Sequence, residues 1–439
     1  MTKADSINKR LSRAATRTLA AVIAILSASG TGLAAEKTLL TFNGANGKGP
    51  VAALTLDAAG NLYGTTPSGG TNGNGTVFKL TPTSNGQWKQ SVLYAFDTSH
   101  HPKGPWGPFS GVTFDSVGNL YGTTYYGGAS TGGSYCPTGC GTVFKLTPTP
   151  TGPWKASILH SFTGRKDGGN PNAGVVFDAQ GNLYGAALSG GTTSGDCPNG
   201  CGVVFKVTLS AKGLWTESVL HSFTGGRVNG DGAGPYATLI ADKAGNLYGT
   251  TLGGGTSTGS LICPSGCGTT FQLSPLTIGN WNYSVIHSFV GGKEDGAGPV
   301  AGVIVDMAGN LYGATAGGGA QAAGAIFELT PGSSGWTSML LYSFHGLADG
   351  STPDAPVVLD TAGNLYGTVV QNGSYGMGAV FELTPSGSGT WTETVLLSFQ
   401  GTHGSSPWAG LVLDAKGNLY GTTEFGGSAS DGIVFEVTR

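Results

Sequence analysis

Gly60-Asn-Leu-Tyr-Gly64 is the stretch on which the fold turns, because the same five residues begin again at Gly118, Gly181, Gly245, Gly309, Gly363 and Gly417. A phrase recurring every 54 to 64 residues marks a repeat architecture, with seven copies of one supersecondary unit. The third copy shows what the unit contains. Ala173 to Asp178 reads as an apolar strand, Asn182 to Leu188 as a second, Val203 to Thr208 as a third and Trp215 to Phe223 as a fourth. Asp178-Ala-Gln-Gly-Asn182 links the first two, and its Gly and Asn suit the positive φ of a tight hairpin. Four short antiparallel strands per unit, with no 3.6-residue periodicity after the leader, predict an all-β, seven-bladed β-propeller.

The two ends predict how the ring closes. The last unit stops at Arg439 after a third strand, Ile433-Val-Phe-Glu-Val-Thr438, and lacks its fourth. Thr38-Leu-Leu-Thr-Phe-Asn-Gly44 aligns with Val219-Leu-His-Ser-Phe-Thr-Gly225 and is expected to supply it, which also protects the sheet edges. With 80 Gly, 39% hydrophobic and 10% charged residues, the composition would suit low complexity, but the regular alternation and spaced aromatics argue for a packed β core. Residues 36–439 are expected to form one propeller, since blades share interfaces and cannot bury both faces alone.

Residues 1–35 read differently. Lys3, Lys9, Arg10, Arg13 and Arg17 precede a short apolar run, Leu19 to Leu26, and Gly32-Leu-Ala-Ala35 offers small residues for cleavage, the pattern of a secretory signal peptide. No later stretch has the roughly twenty apolar residues of a membrane-spanning helix. Without this leader, which carries five basic residues and one acid, the balance is 16 basic against 23 acidic residues, or −7. That disfavours nucleic acid as a partner. The expected location is the periplasm or the outside of the cell, and the expected state a monomer.

Six cysteines fall in three like frames, Cys136-Pro-Thr-Gly-Cys140, Cys197-Pro-Asn-Gly-Cys201 and Cys263-Pro-Ser-Gly-Cys267. Export and even pairing predict three local disulfides. The rival reading is a metal site, but each frame offers two ligands with no His beside them.

Together, the motifs DxxGNLYGTT, GG, GTVFKLTP, and W followed by SF with a DG-containing loop resemble the GloVer tandem repeats of exported bacterial proteins, over nearly all of residues 36–439. The resemblance implies no catalytic residue. Members are grouped by a choice of C-terminal anchor, whereas this chain ends in its repeat, so an anchor is not expected. A weaker likeness through D-x-x-G-N-L-Y is to NHL-type propellers, which implies a binding platform and occasionally an enzyme.

Comparing the seven repeats separates frame from variation. Each first strand is preceded by Pro-x-small-x-apolar, and x after the Pro is Val51, Phe109, Asn172, Tyr236, Val300, Asp354 and Trp408. In a propeller this position should sit at the rim of the central channel, on the face that also carries the Gly-Gly, Cys and Asp-Gly loops. Trp106, Tyr125, Tyr126 and Phe425 are close in sequence to that rim, as is Glu424. Aromatic platforms with Asn172, Asp354 and Glu424 nearby suit a sugar ring or an extended peptide. A wedge between blades is the alternative role for each aromatic.

Other candidates point elsewhere. Asp167, Asp231, Asp295 and Asp349 each precede Gly and read as turn formers, one carboxylate per blade being too few for calcium. His160, His221 and His287 share one repeated position, held elsewhere by Tyr94, Tyr342 and Leu397, and read as packing residues. His100, His101, His345 and His403 fall in loops of the variable face without clustered carboxylates. Gly69 to Gly75 mimics a phosphate loop but lacks the strand-to-helix setting, so no cofactor is expected. Two functions remain: a non-catalytic binding or scaffold module for carbohydrate or protein, and a propeller lactonase, lyase or hydrolase acting at the channel mouth. One acid and one amide in the rim ring favour binding.

Overall fold

The computed structural model describes residues 34–439 apart from 99–103, 130–135, 196, 227–229, 258–262, 277–278 and 388. The leader read at 1–35 therefore lies almost wholly outside the described residues, as do His100 and His101. The described chain is all β, with seven four-stranded antiparallel blades in propeller order and a separate two-stranded pairing of Gly296–Ala297 with Gly317–Gly318. Blade 3 runs Val176–Phe177, Leu183–Ala187, Val203–Leu209 and Trp215–Ser222, each strand paired with the next. Blade 4 carries an extra strand, Gly232–Pro235, on the edge of Leu247–Gly254.

The innermost strand is shorter than the sequence suggests, two paired residues in place of Ala173 to Asp178. Its leading half bonds sideways to other blades: Thr123 Oγ1 donates to the Ala173 carbonyl (2.7 Å), and the Gly174 N–H donates to Thr238 Oγ1 (2.9 Å). Near the axis the strands crowd together, and neighbours compete for backbone groups that would otherwise complete the ladder.

The repeated Asp-x-x-Gly-Asn-Leu-Tyr does more than turn the chain. In blade 1, Asp57 Oδ1 accepts the N–H groups of Ala59 (3.0 Å) and Asn61 (2.8 Å), while Oδ2 accepts Asn61 Nδ2 (2.7 Å) and the Tyr63 hydroxyl (3.2 Å). The same set recurs at Asp115, Asp178, Asp242, Asp306, Asp360 and Asp414. Burial raises the pKa of Asp57, but the bonds from Asn61 and Tyr63 together outweigh it and hold the carboxyl below its ordinary range. The turn is thereby pinned to the strand that follows it.

Blades are joined by phenylalanines. The Phe ending each fourth strand meets, edge to face, the Phe in the third strand of the next blade: Phe96 on Phe144, Phe162 on Phe205, Phe223 on Phe271, Phe289 on Phe327, Phe344 on Phe381 and Phe399 on Phe435, with centroids 5.0–5.4 Å apart. The seventh pair is Phe42 on Phe78, at 5.2 Å. Phe42 follows Ala35–Thr41, which forms the outer strand of the last blade beside Ile433–Thr438, so the N-terminal segment closes the ring as the sequence predicted. The Phe42 N–H donates to the Gly432 carbonyl (3.0 Å), and Lys48 pairs with Asp431 at 3.0 Å. The glycine of Leu-Tyr-Gly is required by the same packing, since a Cβ there would lie 2.4–2.8 Å from the third-strand Phe ring in every blade.

The outer seams are polar. His160, His221 and His287 each bring Nε2 to a loop carboxylate, of Asp167 (3.3 Å), Asp231 (3.4 Å) and Asp295 (3.2 Å), besides packing edge-on against Phe162, Phe223 and Phe289. The packing role is right, and the Asp-Gly loops turn out to be the partners of these imidazoles. His345 Nδ1 likewise meets Asp349 at 2.9 Å, and His403 Nδ1 meets Glu36 at 3.6 Å. Across the seams, Glu217 lies by His160 and Asp167, and Glu393 by Asp349 and His345, each with a buried Oε1 that has no hydrogen-bond partner.

Two outcomes follow from this packing. Phe42→Ala should cost about 4 kcal/mol, as for other buried Phe truncations, and should match Phe223→Ala in denaturant unfolding; a negligible effect at Phe42 alone would mean an unlatched ring. Burial raises Glu217 and Glu393 to about 7. Their protonated forms favour the fold, so this contribution is complete below the ordinary carboxylate pKa and is lost as pH rises through about 7. The double substitution Glu217→Gln, Glu393→Gln should therefore raise Tm at pH 8 and leave it unchanged at pH 4, read by thermal unfolding at both.

Candidate functional site

The mouth of the channel is built by a frame that all seven blades share. Two residues before each variable position the backbone is left-handed, at Gly49, Gly107, Asn170, Gly234, Gly298, Thr352 and Ser406, with φ between 54° and 66°. A proline follows, and its ring lies against the glycine that opens the third strand of the preceding blade. A Cβ on Gly75, Gly141, Gly202, Gly268, Gly324, Gly378 or Gly432 would approach the Cδ of that proline to 2.4–2.8 Å, the last of these contacts being Gly432 with Pro50 across the closure. One residue after the variable position the carbonyl is held from the neighbouring blade: Thr65 Oγ1 donates to Ser110 (2.8 Å), Thr250 to Ala301 (2.8 Å), Thr368 to Ala409 (3.0 Å) and Thr422 to Ala52 (3.4 Å). Backbone on both sides of the variable residue is thus fixed before its side chain is chosen.

Held in this way, Val51, Phe109, Asn172, Tyr236, Val300, Asp354 and Trp408 line one cavity of about 280 Å³, together with Glu424. All seven variable positions and Glu424 are brought together, where the sequence placed them. The channel continues past them as a space of about 360 Å³ walled by residues 51–55 and their equivalents in the other blades.

The four other aromatics behave differently. Trp106 and Tyr126 stack on each other with centroids 4.1 Å apart, and Tyr125 meets Phe109 edge-on at 5.6 Å. Trp106 also packs on the core between blades 1 and 2, so this pair is a wedge buttressing Phe109 from outside the cavity. Phe425 is exposed and pairs through its backbone with Ser405, outside the lining.

Asp354 stands apart electrostatically. Its Oδ1 is buried with no hydrogen-bond partner, and burial lifts the carboxyl to about 7. Trp408 Nε1 donates to Glu424 Oε2 at 2.7 Å, which fixes the indole. Burial raises Glu424 too, opposed by the Trp408 bond. Tyr236 is raised by burial and shares a hydrogen bond with Asn172. None of the eight lining residues is basic. Among the described residues no three His, Cys, Asp or Glu side chains converge as a metal set.

The left-handed residues add a second mark. Four of the seven are Gly, which adopts this conformation freely, but Asn170, Thr352 and Ser406 are not. They precede Asn172, Asp354 and Trp408. A β-branched residue such as Thr352 at φ 60° is strained, and strain of this kind gathers at binding sites.

A larger cavity, about 1000 Å³, opens at the opposite end of the channel, lined by the turns around Asp242 and Asp306 and by Leu411–Leu413. Its two aspartates are already saturated by their own turns, Asp242 by Ala244, Asn246 and Tyr248, and Asp306 by Ala308, Asn310 and Tyr312. The smaller mouth carries the unsatisfied chemistry.

The Cys136–Cys140, Cys197–Cys201 and Cys263–Cys267 disulfides are formed, with Cα atoms 5.1–5.2 Å apart. In blade 2 the bridge sits beneath the Asp-Gly loop, where a Cβ on Gly164 would lie 2.7 Å from Cys140 Sγ, and the Cys140 carbonyl accepts the Asn170 N–H (2.7 Å). It therefore braces the turn that delivers Asn172. Among the described residues no helix is long and apolar enough to cross a membrane.

Among solved structures, the fold is similar to an ulvan lyase of polysaccharide lyase family PL25 bound to -[GlcA(1-4)Rha3S]-, at 10% identity and TM-score 0.54, over 92% of this chain and 95% of that one. It is also similar to a protein described as a 6-phosphogluconolactonase from Bacteroides uniformis ATCC 8492, at 14% identity and TM-score 0.49, over 82% and 88%. At these identities the likeness concerns the fold. No curated protein matches the sequence. The Gloeobacter/Verrucomicrobia repeat matches residues 22–135, 131–276 and 258–439, and this chain belongs to that repeat family.

Proposed function

We propose that the protein is an exported binding module that holds one residue of a carbohydrate in the channel mouth. The observation that carries this reading is the convergence of the seven variable frame positions on a single cavity of about 280 Å³. A repeat that holds its backbone constant and varies one side chain per copy supplies a ring of independent contacts. In this ring Phe109, Tyr236 and Trp408 offer apolar faces, and Asn172, Asp354 and Glu424 offer polar edges. Sugar rings present the same mixture, an apolar face and a hydroxyl-bearing rim, and mostly apolar pockets with a few convergent polar groups are the usual small-ligand sites. The disulfides and the basic, then apolar, N-terminal sequence support export.

One observation favours a second reading, an enzyme acting at the same mouth. Asp354, with its carboxyl near 7, has the pKa of a proton donor working around neutrality. A hydrolase or lyase would need a second group to accept a proton, for which the Glu424 carboxyl is the candidate in the lining.

The test is a glycan array and polysaccharide pull-down with the oxidised full chain, its leader processed on export, beside Trp408→Ala and Tyr236→Ala. Retention of a glycan by the wild type and at least tenfold weaker binding by both variants, at unchanged Tm, is expected. Undiminished binding by both variants would remove the mouth as the site. Capture of a protein from the native envelope with no glycan retained would replace the carbohydrate with a peptide ligand. New reducing ends or unsaturated products, lost in Asp354→Asn, would establish the enzyme.

A further inference from the structure

We infer that the sugar held in the mouth carries a free amino group, whose ammonium pairs with the Asp354 carboxylate. This names the substrate class of the site and rests on the carbohydrate reading above.

The Asp354 residue lines the cavity, and its Oδ1 is buried and receives no hydrogen bond. A buried carboxyl short of donors is costly, and a cation held against the side of the same carboxyl that lines the cavity offsets that cost. Each blade offers a residue at this position, and the apolar choice is available, since Val51 and Val300 occupy it in blades 1 and 5. The acid in blade 6 is therefore not a requirement of the fold.

The rest of the lining selects the sign of the ligand. Glu424 adds a second carboxyl, no lining residue is basic, and Phe109, Tyr236 and Trp408 bring three aromatic rings to the lining. Aromatic faces and carboxylates together attract a cation. A uronic acid or sulfated sugar would set its charge against Asp354 and Glu424 with no basic side chain in the lining to compensate. A neutral sugar could donate a hydroxyl to the carboxyl but would leave it without a counter-charge. An ammonium supplies three donors and the charge at once.

Protons balance in either protonation state. An amine arriving neutral takes the proton that Asp354 holds, giving carboxylate and ammonium. An amine arriving charged displaces that proton to solvent. Burial, which lifts Asp354 in the empty mouth, keeps it from standing as a bare anion until the cation arrives.

The experiment is calorimetric titration of the exported full chain at pH 7 with three β-1,4-linked hexamers, of glucosamine, N-acetylglucosamine and glucose, repeated with Asp354→Asn and Trp408→Ala. The glucosamine hexamer should bind at least tenfold tighter than the other two. Asp354→Asn, which keeps the shape and removes the charge, should abolish that preference at a Tm no lower than the wild type, and Trp408→Ala should weaken all binding. Equal affinity for the three hexamers, lost in Trp408→Ala, would overturn the amino-sugar inference and leave the sugar site standing. A preference for glucosamine that survives in Asp354→Asn would also overturn it. No binding of any hexamer would overturn the inference, and the array would then decide the broader reading separately.

Discussion

One contact carries the architecture: the edge of a phenylalanine at the end of each blade against the face of a phenylalanine in the next. It recurs seven times with nearly constant spacing. The glycine of Leu-Tyr-Gly exists to leave room for it, and the pair lies between the tyrosine-braced turns at one face and the proline frame at the other. A contact that is the same at every joint imposes the same rotation at every joint, and the chain then closes on itself when Phe42 reaches Phe78. The polar seams outside it, His with Asp and then Glu of the next blade, vary from joint to joint and are less uniform in their satisfaction.

The frame was legible in the sequence because it repeats. Seven copies of Gly-Asn-Leu-Tyr-Gly reveal the strand period, and the alignment of Thr38 to Gly44 with Val219 to Gly225 reveals the closure. The variable position after proline was visible for the same reason, as the one unlike residue in a like setting. What stayed hidden depends on three-dimensional neighbours. The bond from Tyr63 to Asp57 links residues six apart, but its geometry arises from the hairpin rather than from composition. The Trp106–Tyr126 stack joins residues twenty apart across a loop, a contact the sequence pattern does not carry. The His–Asp pairs were readable in hindsight, since His160, His221 and His287 are followed by Asp167-Gly168, Asp231-Gly232 and Asp295-Gly296. The left-handed Asn170, Thr352 and Ser406 were also in view, each standing before the proline where the other blades have Gly.

The mouth and the frame divide the work of the repeat. Proline against glycine, and threonine hydroxyl to the neighbouring carbonyl, fix the backbone around each variable residue, so its side chain can change without moving the blade. That freedom has been used unevenly: two valines keep the ring apolar, while blades 6 and 7 supply the buried carboxyl of Asp354 and the Glu424-anchored indole of Trp408. The strained backbone falls beside these same residues. The mouth thus departs from the repeat in its side chains and in the non-glycine residues at a left-handed position that all seven blades share.

The most direct measurement of that division is to return the whole mouth to its apolar form, replacing Phe109, Asn172, Tyr236, Asp354 and Trp408 together by valine, the residue already present at positions 51 and 300. Thermal unfolding and retention of glycans from the native envelope are then read on the same preparation. A propeller of undiminished Tm that retains nothing is the predicted result. Retention equal to the wild type would place the function elsewhere on the molecule, and collapse of the fold would show that these side chains belong to the frame.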